Sequence, residues 1–442
     1  MKYGCVLTKL LMVMIAGLAS MAGAQSQVKT LYRFRGYRDG GAPTGGLVID
    51  ASGNLYGTTY TGGRYYPLGI TCGTVFELSP TTGGGWKKKT IYEFTGGADG
   101  CYPTGSIAID ASGNLYGASQ FGGVITGCQW TSTLAVYGCG TVWQLSPATE
   151  GWAESTIYTF TPSIAFRPTG IVRDANGNLF GTARPPGDKF GLVYELSPTG
   201  GGAWIETTLH AFELSDGVFY DPSLLVDSSG NLFGNAYEGG TLGGSCGSFG
   251  GAGGCGTVYE LSPSLGGWSF NRFAIPSTNR GIAPYGSFVE DSSGHLFGVA
   301  TQGGADSGGV VFELSPVAGG GWTESVIHIF GGNYPKGYWP QGLISDGSFG
   351  FYGITNAGGK HDCIVGCGVV FHLVPSAQGG WSEFIVHTFT GGYDEYSPNS
   401  LIRDASGNLY GTTQAEHFDF EDCGGSVCGT VFKIINAASG GK

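Results

Sequence analysis

Four kinds of short apolar segment recur in fixed order along the chain, each bounded by Gly, Pro, Ser or Asp. The first, a, places two apolar residues side by side before an acid, as in "GLVID", "SIAID" and "SLLVD". The second, b, is "NLYGTT" or a close variant, and the third, c, is "GTVFELSP", "GTVWQLSP" or "GLVYELSP". The fourth, d, starts at Trp and ends in an aromatic: "WKKKTIYEF", "WAESTIYTF", "WTESVIHIF". All four are rich in β-branched and aromatic residues and none sustains a helical period, so they predict strands. Adjacent strand residues point to opposite faces, so the paired apolar residues of a, such as Leu47 with Val48, predict a sheet buried on both sides.

The a–b junction returns seven times, at Asp50, Asp110, Asp174, Asp227, Asp291, Asp346 and Asp404, every 53 to 64 residues. Seven meanders of four strands, each packed between two others, predict an all-β, seven-bladed β-propeller of four-stranded antiparallel blades. The last copy lacks a d segment, whereas residues 30–34, "TLYRF", form a d segment with no a, b or c before it. Closure by pairing this N-terminal strand with the last blade is expected, because it leaves no unpaired sheet edge.

Composition refines this picture. Met1, Lys2 and Lys9 precede an apolar run over residues 10–21 and then Ala22-Gly23-Ala24, the layout of a secretory signal peptide. Residues 1–24 are therefore expected to be removed, leaving 25–442 as one propeller domain, secreted or periplasmic, with no membrane span. Without Lys2 and Lys9 the balance is 19 basic against 33 acidic residues, a net −14, which argues against nucleic acid as a partner. The Asp of each a–b junction reads as a turn stitch whose carboxylate takes backbone N–H groups, with calcium the alternative.

The combination of "GNLYGTT", a Gly-rich loop, "GTVFELSP" and a Trp-led strand resembles the Gloeo/Verruco (GloVer) tandem repeats of exported bacterial proteins. The resemblance runs from about Thr30 to Ile434. It implies export and a bacterial source, and brings no catalytic residues with it.

Cys5 falls in the signal, leaving ten cysteines, an even number suited to an oxidising compartment. Local pairing is expected: Cys72 with Cys101, Cys128 with Cys139, Cys246 with Cys255, Cys363 with Cys367, and Cys423 with Cys428. Zinc near His361 or His417 is the alternative, but the spacing lacks a finger pattern.

The a–b and c–d turns are short and repetitive, whereas the b–c and d–a loops at the other end are long and irregular, and function concentrates on such loops. The residues just before the Pro of each a segment are Ala42, Tyr102, Arg167, Asp221, Ala283, Trp339 and Ser397, and these are expected to ring the mouth of a central channel. Tyr102, Arg167, Asp221, Trp339 and the adjoining Tyr396 form the candidate ligand site, since aromatic faces with a few charged groups suit a sugar. Substituting Tyr102 or Trp339 is expected to weaken binding and spare the fold. No nucleophile elbow, metalloprotease or phosphate-loop motif is present, and no cofactor or metal is expected. The favoured reading is a monomeric, non-enzymatic binding or envelope-associated scaffold whose partner is a glycan or cell-envelope component. The alternative is a glycan hydrolase or lyase using acids such as Asp99, Asp221, Asp394, Glu395, Glu416 or Glu421.

Overall fold

The computed structural model describes residues 27–64, 71–124, 128, 138–184, 190–218, 223–240, 254–274, 281–331, 336–359, 363, 366–391, 396–414 and 429–435. The proposed signal segment lies outside them, as do Asp221, Cys246, Cys423 and Cys428. The described strands form seven four-stranded antiparallel sheets, each in the order a-b-c-d. The protein is a seven-bladed β-propeller. Helix among the described residues is limited to short 3-10 turns, such as Tyr37–Asp39 and Ala305–Ser307.

Blade seven is assembled from both ends of the chain. Its a, b and c strands are Tyr396–Arg403, Leu409–Gln414 and Thr430–Ile435, and its d strand is Gln27–Arg33. Thr30 lies opposite Phe432 and Arg33 opposite Thr430. The pairing starts at Gln27 rather than Thr30, because the ladder runs on to Ile435. Phe34 N–H then donates to the Gly429 carbonyl at 3.0 Å, and Phe34 is buried.

The glycine of strand b has a steric cause. Gly57 pairs with Phe76, Gly117 with Trp143 and Gly353 with Phe371, and the other four blades repeat the register. A Cβ on any of the seven glycines would come within 2.2–2.8 Å of the c-strand aromatic ring. These rings fill the interior of each blade, all with essentially no exposure. The Gly persists because the ring occupies its side-chain space.

The Trp that opens strand d joins neighbouring blades. Trp152 meets Tyr56 of the preceding blade edge-on at 5.7 Å, Trp204 meets Tyr116 at 6.3 Å and Trp322 meets Phe233 at 5.6 Å. Trp86 of blade one meets Tyr410 of blade seven in the same way, at 5.9 Å, which carries the series across the closure. Such edge-to-face pairs contribute about 0.5–1.5 kcal/mol each beyond their burial.

Candidate functional site: the channel mouth

The a–b turns sit at the short-turn end and are internally satisfied. Asp50 Oδ1 accepts N–H bonds from Ser52 (2.9 Å) and Asn54 (2.8 Å), while Oδ2 accepts the Asn54 side-chain amide (2.8 Å) and the Tyr56 hydroxyl (3.2 Å). The same set surrounds Asp110 and Asp404. Burial pushes the Asp110 carboxyl up, but the bonds from Asn114, Tyr116 and Ser112 outweigh it and hold the group below the usual carboxylate range. With four donors on each of these three carboxylates, the turn acts as a stitch. Among the described residues no three His, Cys, Asp or Glu side chains are arranged to hold a metal ion.

At the opposite end, the residue before each proline makes a joint between blades. The N–H groups of Tyr102, Arg167, Ala283, Trp339 and Ser397 donate to the carbonyls of Cys72, Cys139, Cys255, Gly308 and Cys367 of the preceding blade, at 2.8–3.1 Å. Each acceptor stands directly before the first Gly of strand c, and that Gly fits under the next blade's proline ring. A Cβ on Gly73 would come 2.7 Å from Pro103 Cδ, and one on Gly429 would come 2.4 Å from Pro43 Cδ. To reach this geometry Ala42, Tyr102, Arg167, Ala283, Trp339 and Ser397 all adopt left-handed backbone, with φ of 50 to 59°. Left-handed backbone costs a residue with a Cβ about 1–2 kcal/mol, so the position is strained in six blades, and in five of them the joint's hydrogen bond is seen.

The channel itself is lined one step further along the chain. A cavity of about 470 Å³ is bordered by the residue after the proline in six blades: Thr44, Thr104, Ser223, Tyr285, Gln341 and Asn399. All are hydroxyl or amide side chains. Tyr60 and Gln414, from the ends of strand b in blades one and seven, complete the rim, and none of the described lining residues is Asp, Glu, Lys, Arg or His. The corresponding Thr169 of blade three instead bonds Thr182 at 2.6 Å.

The structure places the candidate residues unequally. Tyr102 is buried, with 6% exposure; its ring stacks on Tyr60 at 4.6 Å and meets Phe121 edge-on at 5.9 Å. Tyr60 therefore presents the face toward the channel that the sequence pattern gave to Tyr102, and Tyr102 packs the fold. Arg167 lies over the Phe121 ring at 5.2 Å. Burial, then the neighbouring Arg184, lowers the affinity of its guanidinium for the proton. Trp339 is half-buried, meets Tyr338 edge-on at 5.8 Å, and its carbonyl accepts a bond from the Gln341 side chain. Asp221 and the Tyr396 side chain lie outside the described residues. Disulfides join Cys72 to Cys101, Cys128 to Cys139 and Cys363 to Cys367. The first ties blade one to blade two beside the Tyr102 joint. Cys255 is also disulfide-bonded.

Residues 244–440 match the family described as the Gloeobacter/Verrucomicrobia repeat. That segment matches the repeat family which the sequence motifs resemble. No curated protein sequence matches the chain. Among solved structures, the repeat propeller is similar to the extracellular domain of a hybrid two-component system from B. thetaiotaomicron. That similarity has 11% identity and a TM-score of 0.52, over 94% of this chain and 42% of that one. The chain thus spans less than half of that neighbour's length. PorZ, a surface component of the type-IX secretion system of Porphyromonas gingivalis, has 13% identity and a TM-score of 0.47, over 90% and 46% of the two chains. Trypanosoma rangeli sialidase has 12% identity and a TM-score of 0.45, over 93% and 60%. At such identities likeness speaks for the fold alone.

The channel ring was within reach of the sequence. The residues after the prolines read Thr, Thr, Thr, Ser, Tyr, Gln and Asn in the seven repeats, without a charge. That uniformity was the available signal. The more conspicuous aromatic residues before the prolines obscured it.

Proposed function

We propose that the protein is an exported, non-enzymatic binding propeller that takes an uncharged, polyhydroxylated ligand, such as a short glycan of the cell envelope, at the channel mouth. The observation that carries this reading is the lining: hydroxyl and amide groups from six blades, with the phenols of Tyr60 and Tyr285 and the aliphatic side chains of Leu47, Leu343, Ile344, Ile354, Leu401 and Ile402, around about 470 Å³. That volume falls in the range of small-molecule sites. Hydroxyls and amides both donate and accept, matching sugar hydroxyls, and a phenol ring supplies an apolar face for a pyranose. The N-terminal signal-like segment and the disulfides support export.

One acid considered for hydrolysis has a structural post. Asp99, 6% exposed, accepts bonds from the Tyr92 hydroxyl, the Thr95 N–H and the Thr95 hydroxyl, and so pins the loop into blade two. Asp99 is thereby withdrawn from the acids available to a two-carboxylate hydrolysis, while Asp221, Asp394, Glu395, Glu416 and Glu421 lie outside the described residues. A glycan-array screen of the secreted protein, followed by calorimetric titration of a hit, tests the reading. Tyr285→Ala and Gln341→Ala should each weaken binding by about 1–3 kcal/mol with little change in thermal unfolding. Release of reducing sugar from the hit would overturn the non-enzymatic assignment, and unchanged affinity in both variants would move the site elsewhere.

A further inference from the structure

We infer that His328 and Glu383 hold one proton between them at the interface of blades five and six, as a carboxylic acid beside a neutral imidazole, so that this contact carries no buried charge of its own in mildly acidic medium. Both residues belong to d strands, Trp322–Ile329 and Trp381–Thr388. His328 Nε2 lies 3.5 Å from Glu383 Oε2. The Glu383 side chain is 3% exposed, yet neither of its oxygens accepts a hydrogen bond, and His328 Nε2 has no partner either.

The repeat shows what this position ordinarily does. At the matching interface of blades two and three the partners are Tyr158 and Glu206, and the phenol bonds the carboxylate. A phenol always has a hydrogen to give toward this carboxylate; a neutral imidazole has one at Nε2 in only one of its two tautomers, and no hydrogen bond is formed there. With His in place of Tyr, the missing hydrogen has to come from the pair itself. A buried carboxylate without any donor would cost several kcal/mol, and protonation removes that cost.

Lys336, from the d–a loop, is the charged group of the surroundings: its Nζ stands 4.0 Å from Glu383 Oε2, beyond hydrogen-bond reach, on a side chain that is 66% exposed. Glu324 and His387 occupy the corresponding positions of the neighbouring interfaces. Burial pushes Glu383 up to about 7 against the opposing pull of Lys336, and burial followed by Lys336 brings His328 down to about 4. In the unfolded chain at about pH 5.5 the same two groups are a carboxylate and an imidazolium. Folding then moves a proton from imidazole to carboxylate and takes up none. The raised Glu383 contributes stability that is complete below about pH 4.3 and lost as pH rises through about 7. The depressed His328 contributes stability present above about pH 6.5 and lost as pH falls through about 4. The interface is thus most secure between those limits.

The test is a nuclear magnetic resonance titration of the secreted protein labelled at Glu carboxyl carbons and His rings, with Glu383→Gln and His328→Tyr serving to assign the signals. The expected result is one carboxyl signal titrating near pH 7, absent from Glu383→Gln, and one imidazole that remains neutral at pH 6, where an ordinary histidine is mostly charged. A Glu383 signal titrating near pH 4, or a His328 ring charged at pH 7, would mean an ion pair and overturn the inference. Should either variant fail to fold, the wild-type spectrum still decides, through the presence or absence of a carboxyl titrating near pH 7.

Discussion

His372 Nε2 lies 2.9 Å from Asp346 Oδ2 in blade six, where five of the other turns use an asparagine amide. The asparagine position is Gly350 in this repeat, and His372 stands in strand c where most repeats carry Glu. A partner lost from the turn has been replaced from the neighbouring strand. The imidazole also stacks on Tyr352 at 4.1 Å, the ring whose counterparts in six other blades meet a Trp of the next. Blade seven, with its N-terminal d strand, brings no such Trp.

The first prediction follows from this pair. Burial raises the Asp346 carboxyl, but bonds from His372 and the Ser348 and Gly350 N–H groups outweigh it, leaving the group below its usual range. It thus contributes stability that is present above about pH 3.9 and lost as pH falls through its lower folded value. His372→Glu should cost about 1–3 kcal/mol at neutral pH by setting two carboxylates together and removing a donor, whereas His372→Gln should cost less. Urea unfolding of both variants at pH 7 checks the order.

A hydroxyl buried without a partner predicts a gain. Tyr194 in strand c is fully buried and its Oη has no hydrogen-bond partner, while blades one, five, six and seven carry Phe at this position. Tyr194→Phe should stabilise the protein by about 1 kcal/mol, visible as a higher midpoint in thermal unfolding. A loss of stability would mean that the hydroxyl has a bound water.

Ala283 offers a backbone test. Its φ of 59° strains a residue with a Cβ, and its 4% exposed side chain is a single methyl. Ala283→Gly should raise stability by up to about 1 kcal/mol. Tyr102→Gly relieves the same strain but removes a buried ring, so it should lower stability by about 2–4 kcal/mol. Opposite signs from one substitution type separate backbone from packing.

The outer rim contains one contact in two polarities. Lys88, 6% exposed, reaches Asp39 Oδ1 at 3.0 Å from blade one to the loop preceding it, and at the Glu383 contact the base and acid exchange places. Burial lowers the Lys88 ammonium's hold on its proton, with Asp39 opposing. Asp39→Asn takes the counter-charge from that ammonium and leaves one oxygen where two now serve the Tyr32 hydroxyl, the Arg35 N–H and Lys88, so a loss of about 3 kcal/mol is expected. Lys88→Met combined with Asp39→Asn should recover part of it, and chemical denaturation of the single and double variants measures the coupling.

The sequence by itself determined the blade. Strand order, the seven-fold count and the closing strand follow from local periodicity and from segments left over at the two ends, and such information needs no knowledge of contacts. It also marked the Asp and Gly that persist, since each is demanded within its own repeat. Tertiary structure decided between the residues before and after the prolines as the ones that face the channel. At the pre-proline joint a left-handed backbone directs Tyr102 into packing between Tyr60 and Phe121 and hands the lumen to the residue after the proline. A one-residue offset of this kind is set by a hydrogen bond to the preceding blade, and that bond exists only once the ring has closed around it. The same holds for His328 and Glu383: their separation in sequence is silent about a meeting that two neighbouring blades create.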